Sequence, residues 1–229
     1  MARTRTIVSW AAAAALWAGG SALVLPIFLS EGRADTARVV SIKETRDYQD
    51  PALLKKAWAL PVAAAYQADI EFQHNGSVCG PTSLADVLHS LQQPGNQESI
   101  LQDTGFSTVL GYLPEGLTLD QLAVIARQKL HRKVTVLRDL DLAAFREQLS
   151  HVNDPSRRYV INFTRGPLFG AGGGHHSPVA AYLDQEDLVL VLDVNKNYGP
   201  WLVKPERLFD AMNTVDATAQ KKRGLLLIE

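Results

Sequence analysis

Apolar positions follow two different rhythms along the chain, one helical and then one strand-like. Between residues 82 and 91, Leu84, Val87, Leu88 and Leu91 repeat at i, i+3, i+4 and i+7, the stripe of a helix packed on a core. Pro94 and Gly95 break that run. Thr118 with Gln121 reads as a capping box for a helix whose apolar face is Leu122, Ile125 and Ala126. Residues 53–58 predict a short helix that stops before Pro61, and Asp141 caps another through Leu149. Beyond residue 158 the period shortens. Residues 159–163, 179–183 and 188–194 read as strands, the last nearly all apolar and therefore expected at the sheet's centre. A short strand at 134–137, a helix from Pro205 to Met212 and a closing strand at 225–228 complete the set. Helices first and a mainly antiparallel sheet second define an α+β plan.

The N-terminus follows neither rhythm. Met1-Ala2-Arg3-Thr4-Arg5 is basic, and residues 7–29 carry no charge. That length suits a membrane anchor better than a signal h-region, while Gly32-Arg33-Ala34 offers a cleavage site after Ala34. Residues 1–34 are therefore expected to be a signal peptide or anchor, 35–52 a linker, and 53–229 the catalytic domain. Arg3 and Arg5 stay cytoplasmic in this reading. The domain is then exported: periplasmic, or anchored in the inner membrane facing the periplasm.

Composition narrows the classes. The chain is 46% hydrophobic and 21% charged with a net charge of −1, enough for a normal core and no case for nucleic acid. It contains one cysteine, so neither an internal disulfide nor a cysteine-rich metal cluster can form. Adjacent His175 and His176, with His74 and Asp193, show no zinc-ligand spacing such as HExxH, and no tightly bound metal or cofactor is expected. Gly170 to Gly174 lacks the Lys-Ser/Thr of a phosphate loop and reads as a flexible active-site loop.

The lone thiol, Cys79, precedes Gly80 and Pro81 at the start of the first helical stripe. There, free backbone N–H groups and the helix dipole favour thiolate. His175 is the candidate base, Asp193 the group that orients it, and Gln73, with the Cys79 backbone N–H, the oxyanion donor. His176 competes for the base role. Neighbouring strand residues point to opposite faces, so at most one histidine is expected at the thiol.

These residues resemble a known family. Gly174-His175-His176-Ser177-Pro178-Val179 is similar to the G-H-F-S-P-I signature of phytochelatin synthases, the papain-like glutathione γ-glutamylcysteinyltransferases. Leu192-Asp193-Val194 follows at the family's spacing, Cys79-Gly80 resembles its C-G-x-x-S segment, and Gln73 falls at its oxyanion glutamine. Residues 208–212, Val215-Asp216 and Lys222-Arg223-Gly224 are similar to the end of its catalytic domain. The resemblance assigns the base to His175 and puts His176 in the phenylalanine position. It implies a papain-like fold with glutathione as substrate, cut at the Cys–Gly bond through a thioester on Cys79. The acyl group would pass to water or to a second glutathione, in metal detoxification or thiol turnover. Heavy-metal dependence through metal–glutathione thiolates is also implied.

A γ-glutamyl group carries a carboxylate and an ammonium, which call for an arginine and an acid. Arg223 and Asp216 match the family's pair, and Asn162 and Arg165 are further candidate contacts. The sequence lacks the cysteine-rich extension of plant-type members, and Lys196 stands where the family often has arginine, in a loop one residue shorter. Hydrolysis is therefore expected over polymerisation. Partner expectations are glutathione, a membrane if the leader is retained, and a homodimer as an open option. The competing readings are a double-glycine leader peptidase and a non-enzymatic module that binds glutathione or metal thiolates.

Overall fold

Local signals set most of the helices. A computed structural model describes residues 39–229, which form a single unit; the expected leader or anchor lies outside the described residues. Helix α1 (Pro51–Trp58) starts earlier than expected because Asp50 caps it, accepting the N–H groups of Ala52 and Leu53 at 2.9 Å. Helix α2 (Pro61–Gln67) follows at once, and α3 (Cys79–Ser90) starts at the thiol. The capping box of α4 (Leu119–Lys129) is present in both directions. After strand β1 (Val134–Leu137), Asp141 caps α5 (Leu142–Ser150), accepting from Ala144 N–H at 2.8 Å.

Strands β2 (Arg158–Thr164), β3 (Gly174–Leu183), β4 (Leu188–Leu192) and β5 (Pro200–Val203) come next, with the short helix α6 (Gly166–Phe169) between β2 and β3. Helix α7 (Pro205–Met212), the two-residue hairpin β6 (Val215–Asp216) and β7 (Lys221–Lys222), and β8 (Leu225–Ile228) close the domain. The main sheet runs β1-β8-β2-β3-β4-β5, antiparallel throughout. β4 is thus interior, between β3 and β5, but β8, β2 and β3 also lie inside the sheet. Its unbroken apolar run reflects burial on both faces rather than a central place.

Helices cover both faces. Val160, Leu190, Leu202 and Leu226 pack with α1 to α4, whereas Tyr159, Ile161, Val191, Trp201 and Leu225 pack with α5 and α7. Alternation along β2 therefore feeds two cores. A register shift between Val179 and Ala181 in β3 puts Ala180 and Ala181 into the same core.

The expected linker does not extend to residue 52. Ile42 and Tyr48 are buried, Leu202 N–H donates to Tyr48 O at 2.8 Å, and Gln49 Nε2 donates to Tyr198 O at 2.8 Å. Two apolar side chains in an otherwise polar stretch are enough to seat residues 42–49 on the β4–β5 region. No helix among the described residues is long and apolar enough to cross a membrane.

Candidate active site

Cys79 is the first residue of α3 and is buried. No side chain caps this helix, so its first N–H groups remain free to serve an anion. Pro81 has no N–H to lose and suits the first turn. Gly80 is required by packing: a Cβ there would lie 3.1 Å from Leu122 Cδ1 and 3.5 Å from Leu117 Cδ1. The approach loop is fixed by side chains. Asn75 Oδ1 accepts from Ser77 N–H at 3.0 Å, Ser77 Oγ accepts from Leu113 N–H, and Gln97 Oε1 accepts from His74 N–H, both at 3.0 Å.

The histidine in contact with the thiol is His176, whereas His175 was the candidate base. His176 Nδ1 lies 3.8 Å from Cys79 Sγ, a hydrogen-bond contact to sulfur. His175 directs Nε2 to Asp193 Oδ1 at 3.0 Å and acts on the thiol chiefly through its charge. Cys79, at the start of α3, and His176, the third residue of β3, line one pocket. Burial pushes the Cys79 thiol up, but the charge of His175 and then the contact with His176 outweigh it and hold the thiol well below its usual range. Burial disfavours charge on His175 too. The opposing Cys79 thiolate and the Asp193 hydrogen bond reverse that and raise its pKa. The resting pair these shifts favour is thiolate and imidazolium.

Asp193 is held more tightly than a lone orienting acid requires. Arg165 donates to it twice, at 2.7 and 2.8 Å, Trp201 Nε1 at 3.1 Å and the Asn195 N–H at 3.0 Å. Burial pushes its carboxyl up, yet the His175 hydrogen bond, followed by Arg165, keeps it well below the carboxylate range. Arg165 was expected among the substrate contacts. It is instead buried, with both terminal nitrogens on Asp193 and its guanidinium 3.8 Å from the Tyr198 ring centre.

Beside the thiol lies a pocket of about 320 Å³ lined by Cys79, His176, Asn162, Asp216, Arg223 and Glu115, among others. Arg223 Nη1 donates to Asp216 Oδ2 at 2.9 Å and to Asn162 Oδ1 at 3.2 Å. Asn162 Nδ2 donates in turn to His175 O at 3.2 Å. Of the four expected substrate contacts, then, three meet in one network and Arg165 does not. Gly174 makes room for it: a Cβ there would lie 2.7 Å from Arg223 Nη1.

Gln73 is anchored by its backbone, whose N–H donates to Val194 O at 2.8 Å, next to Asp193. Its side-chain Oε1 is buried without a partner. Sequence reasoning missed Trp201, Glu115 and the Asn75–Ser77 clasp. An indole eight residues after Asp193, at the end of a largely polar segment, was the one available signal for the first. Among the described residues no group of three or more His, Cys, Asp or Glu side chains gathers as a metal site; His74 pairs with Glu98 at 2.9 Å.

The mixed helix and antiparallel sheet, with a cysteine at a helix start, is the papain-like cysteine peptidase fold. A solved C39-like peptidase from Bacillus anthracis is similar in structure, with a TM-score of 0.51 at 14% identity, covering 72% of this chain and 95% of that one. The phytochelatin synthase family model matches residues 48–225, and the chain belongs to that family. It is 27% identical to glutathione gamma-glutamylcysteinyltransferase 2 of Arabidopsis thaliana over 179 residues, 68% of this chain and 37% of that protein. With the glutathione gamma-glutamylcysteinyltransferase of Schizosaccharomyces pombe it shares 26% over 169 residues, 69% of this chain and 41% of that protein. With number 3 of Lotus japonicus it shares 32% over 117 residues, 50% of this chain and 24% of that protein. The chain therefore spans well under half the length of these relatives.

Proposed function

We propose that this protein cleaves the Cys–Gly bond of glutathione through a thioester on Cys79. The observation that carries this reading is a thiol in contact with His176, beside the His175–Asp193 pair, at the edge of a pocket that also holds Arg223, Asp216 and Asn162. The Cys79 thiolate attacks the carbonyl carbon, and the oxyanion that forms is met by N–H groups at the start of α3, with the Gln73 amide as second donor. His175 gives its proton to the glycine nitrogen, the C–N bond breaks, and glycine leaves. His175 then takes a proton from a water molecule as its oxygen bonds to the thioester carbonyl carbon. The C–S bond breaks, γ-glutamylcysteine departs with the new C–O bond and the thiolate returns. A second glutathione can replace the water, its amine taking the acyl group to give a phytochelatin. Arg223 supplies charge for the γ-glutamyl carboxylate, and Asp216 for the ammonium.

Hydrolysis is favoured in this reading, with metal thiolates of glutathione as alternative substrates, and the basic and apolar start of the chain supports work outside the cytoplasm. Incubating the protein with glutathione, with and without cadmium, and following glycine, γ-glutamylcysteine and longer products by mass spectrometry tests it. Glycine release that Cys79→Ala abolishes is expected. Undiminished release by that variant sinks the mechanism.

A further inference from the structure

Two imidazoles stand at one thiol, and only one of them is tied to an acid. His176 is 2% exposed, its Nδ1 is 3.8 Å from Cys79 Sγ, and its Nε2 is buried without a partner. The state of its ring follows from that imbalance. A proton on Nε2 would strand a buried donor at the desolvation cost of an unmade hydrogen bond, whereas a proton on Nδ1 gives the donor an anionic acceptor and strands only a lone pair.

We propose that His176 is a further catalytic residue, a neutral imidazole whose Nδ1–H donates to the Cys79 thiolate beside the Asp193-held His175. This rests on Cys79 being the nucleophile of the proposed reaction. The division of labour is chemical. The His175 proton moves to the leaving amine and comes back from water, while the His176 proton stays on Nδ1. When the thiolate becomes a thioester its sulfur loses its charge, and the His176 donor loses its acceptor. As the C–S bond breaks the charge returns to that donor, so His176 stabilises the thiolate as the leaving group of deacylation. The other charged groups around the thiol are already committed or lie across the pocket: Asp193 with Arg165 behind His175, and Asp216 with Arg223, then Glu115.

The test needs no substrate, because the chain has one cysteine and every thiolate signal is that of Cys79. The ultraviolet absorbance of the thiolate and the rate of alkylation by iodoacetamide are followed against pH. His176→Phe, which keeps a flat ring without a donor, is expected to move the midpoint up by about one pH unit and to slow alkylation below the midpoint about tenfold. His176→Asn, which restores an N–H near the Nδ1 position, is expected to recover much of that loss. A His176→Phe titration that overlays the wild type overturns the proposal. Should that variant not fold, nitrogen NMR of labelled histidines in the wild-type protein decides instead. A His176 proton on Nδ1, with a resonance that moves on alkylation, supports the proposal; a proton on Nε2 overturns it. A protein that passes these tests but releases no glycine from glutathione refutes the proposed function and leaves the role of His176 standing.

Discussion

Arg165 grips Asp193 through two parallel hydrogen bonds of 2.7 and 2.8 Å, and Asp193 in turn holds His175 at 3.0 Å. The arginine thus belongs to the support of the base and not to the pocket lining. Removing it with Arg165→Met leaves a buried carboxylate on weaker partners, at a cost of about 3–5 kcal/mol. Arg165→Lys recovers only part, because an ammonium makes neither the fork nor the stack on Tyr198. For whatever folds, kcat for glutathione should fall while KM stays near the wild-type value. A rise in KM alone would return Arg165 to the substrate.

The same pair makes stability depend on acid. With its carboxyl held well below the ordinary range by His175 and Arg165, folded Asp193 binds fewer protons than unfolded Asp193. Its contribution is present above the ordinary carboxylate value and is lost as pH falls toward the lowered one. Urea midpoints should therefore drop as pH goes from about 5 to 2. Asp193→Asn should start less stable near neutral pH, with Arg165 unpaired, and show a flatter acid limb. Parallel losses in the two proteins would place the acid sensitivity elsewhere.

Two glycines near Arg223 should fail in opposite ways. A methyl at Gly174 meets first the guanidinium of Arg223, 2.7 Å away, at the end of a flexible side chain. Gly174→Ala should leave stability within about 1 kcal/mol, yet dislodge Arg223 from Asp216 and Asn162 and raise KM about tenfold. A methyl at Gly224 meets the backbone carbonyl of Leu137 at 2.2 Å, which cannot step aside without moving β1. Gly224→Ala should cost about 1–3 kcal/mol or more. Thermal melts set beside glutathione kinetics separate the two outcomes.

What was legible in the sequence was local. Asp141 and the Thr118–Gln121 box act within one turn of chain, and β1 and β8 occupy the stretches that their apolar runs mark. Strand β5 was hidden because Pro200 opens it and it is only four residues long. The start of β3 was hidden because Gly174, two histidines, Ser177 and Pro178 carry no apolar alternation. Alternation alone could not say which histidine meets the thiol, because that depends on how the start of α3 packs against β3. Charge type misjudged Arg165, since an arginine reads the same whether its carboxylate belongs to a ligand or to a buried aspartate. The aromatic residues around it, Phe163, Phe169 and Tyr198, were the signal of a buried guanidinium.

Helix α3 carries a second acid whose chemistry is unlike that of Asp193. Asp86 is fully buried; one oxygen accepts the Glu71 N–H at 2.8 Å and the other has no partner. Burial pushes its carboxyl well above the ordinary value, and the Glu71 N–H only partly opposes that. The folded state holds a proton that the unfolded chain releases, so this group costs stability as pH rises above the ordinary carboxylate range. Asp86→Asn keeps the acceptor for Glu71 and removes the charge. It should stabilise the protein near neutral pH by on the order of 1 kcal/mol, a rise of about 2–4 °C in Tm for a domain of this size. The advantage should vanish below pH ~3, where the wild-type aspartate is protonated in both states. Melting curves of the two proteins across that range decide the matter, and an advantage that persists unchanged in acid would mean that charge is not its source.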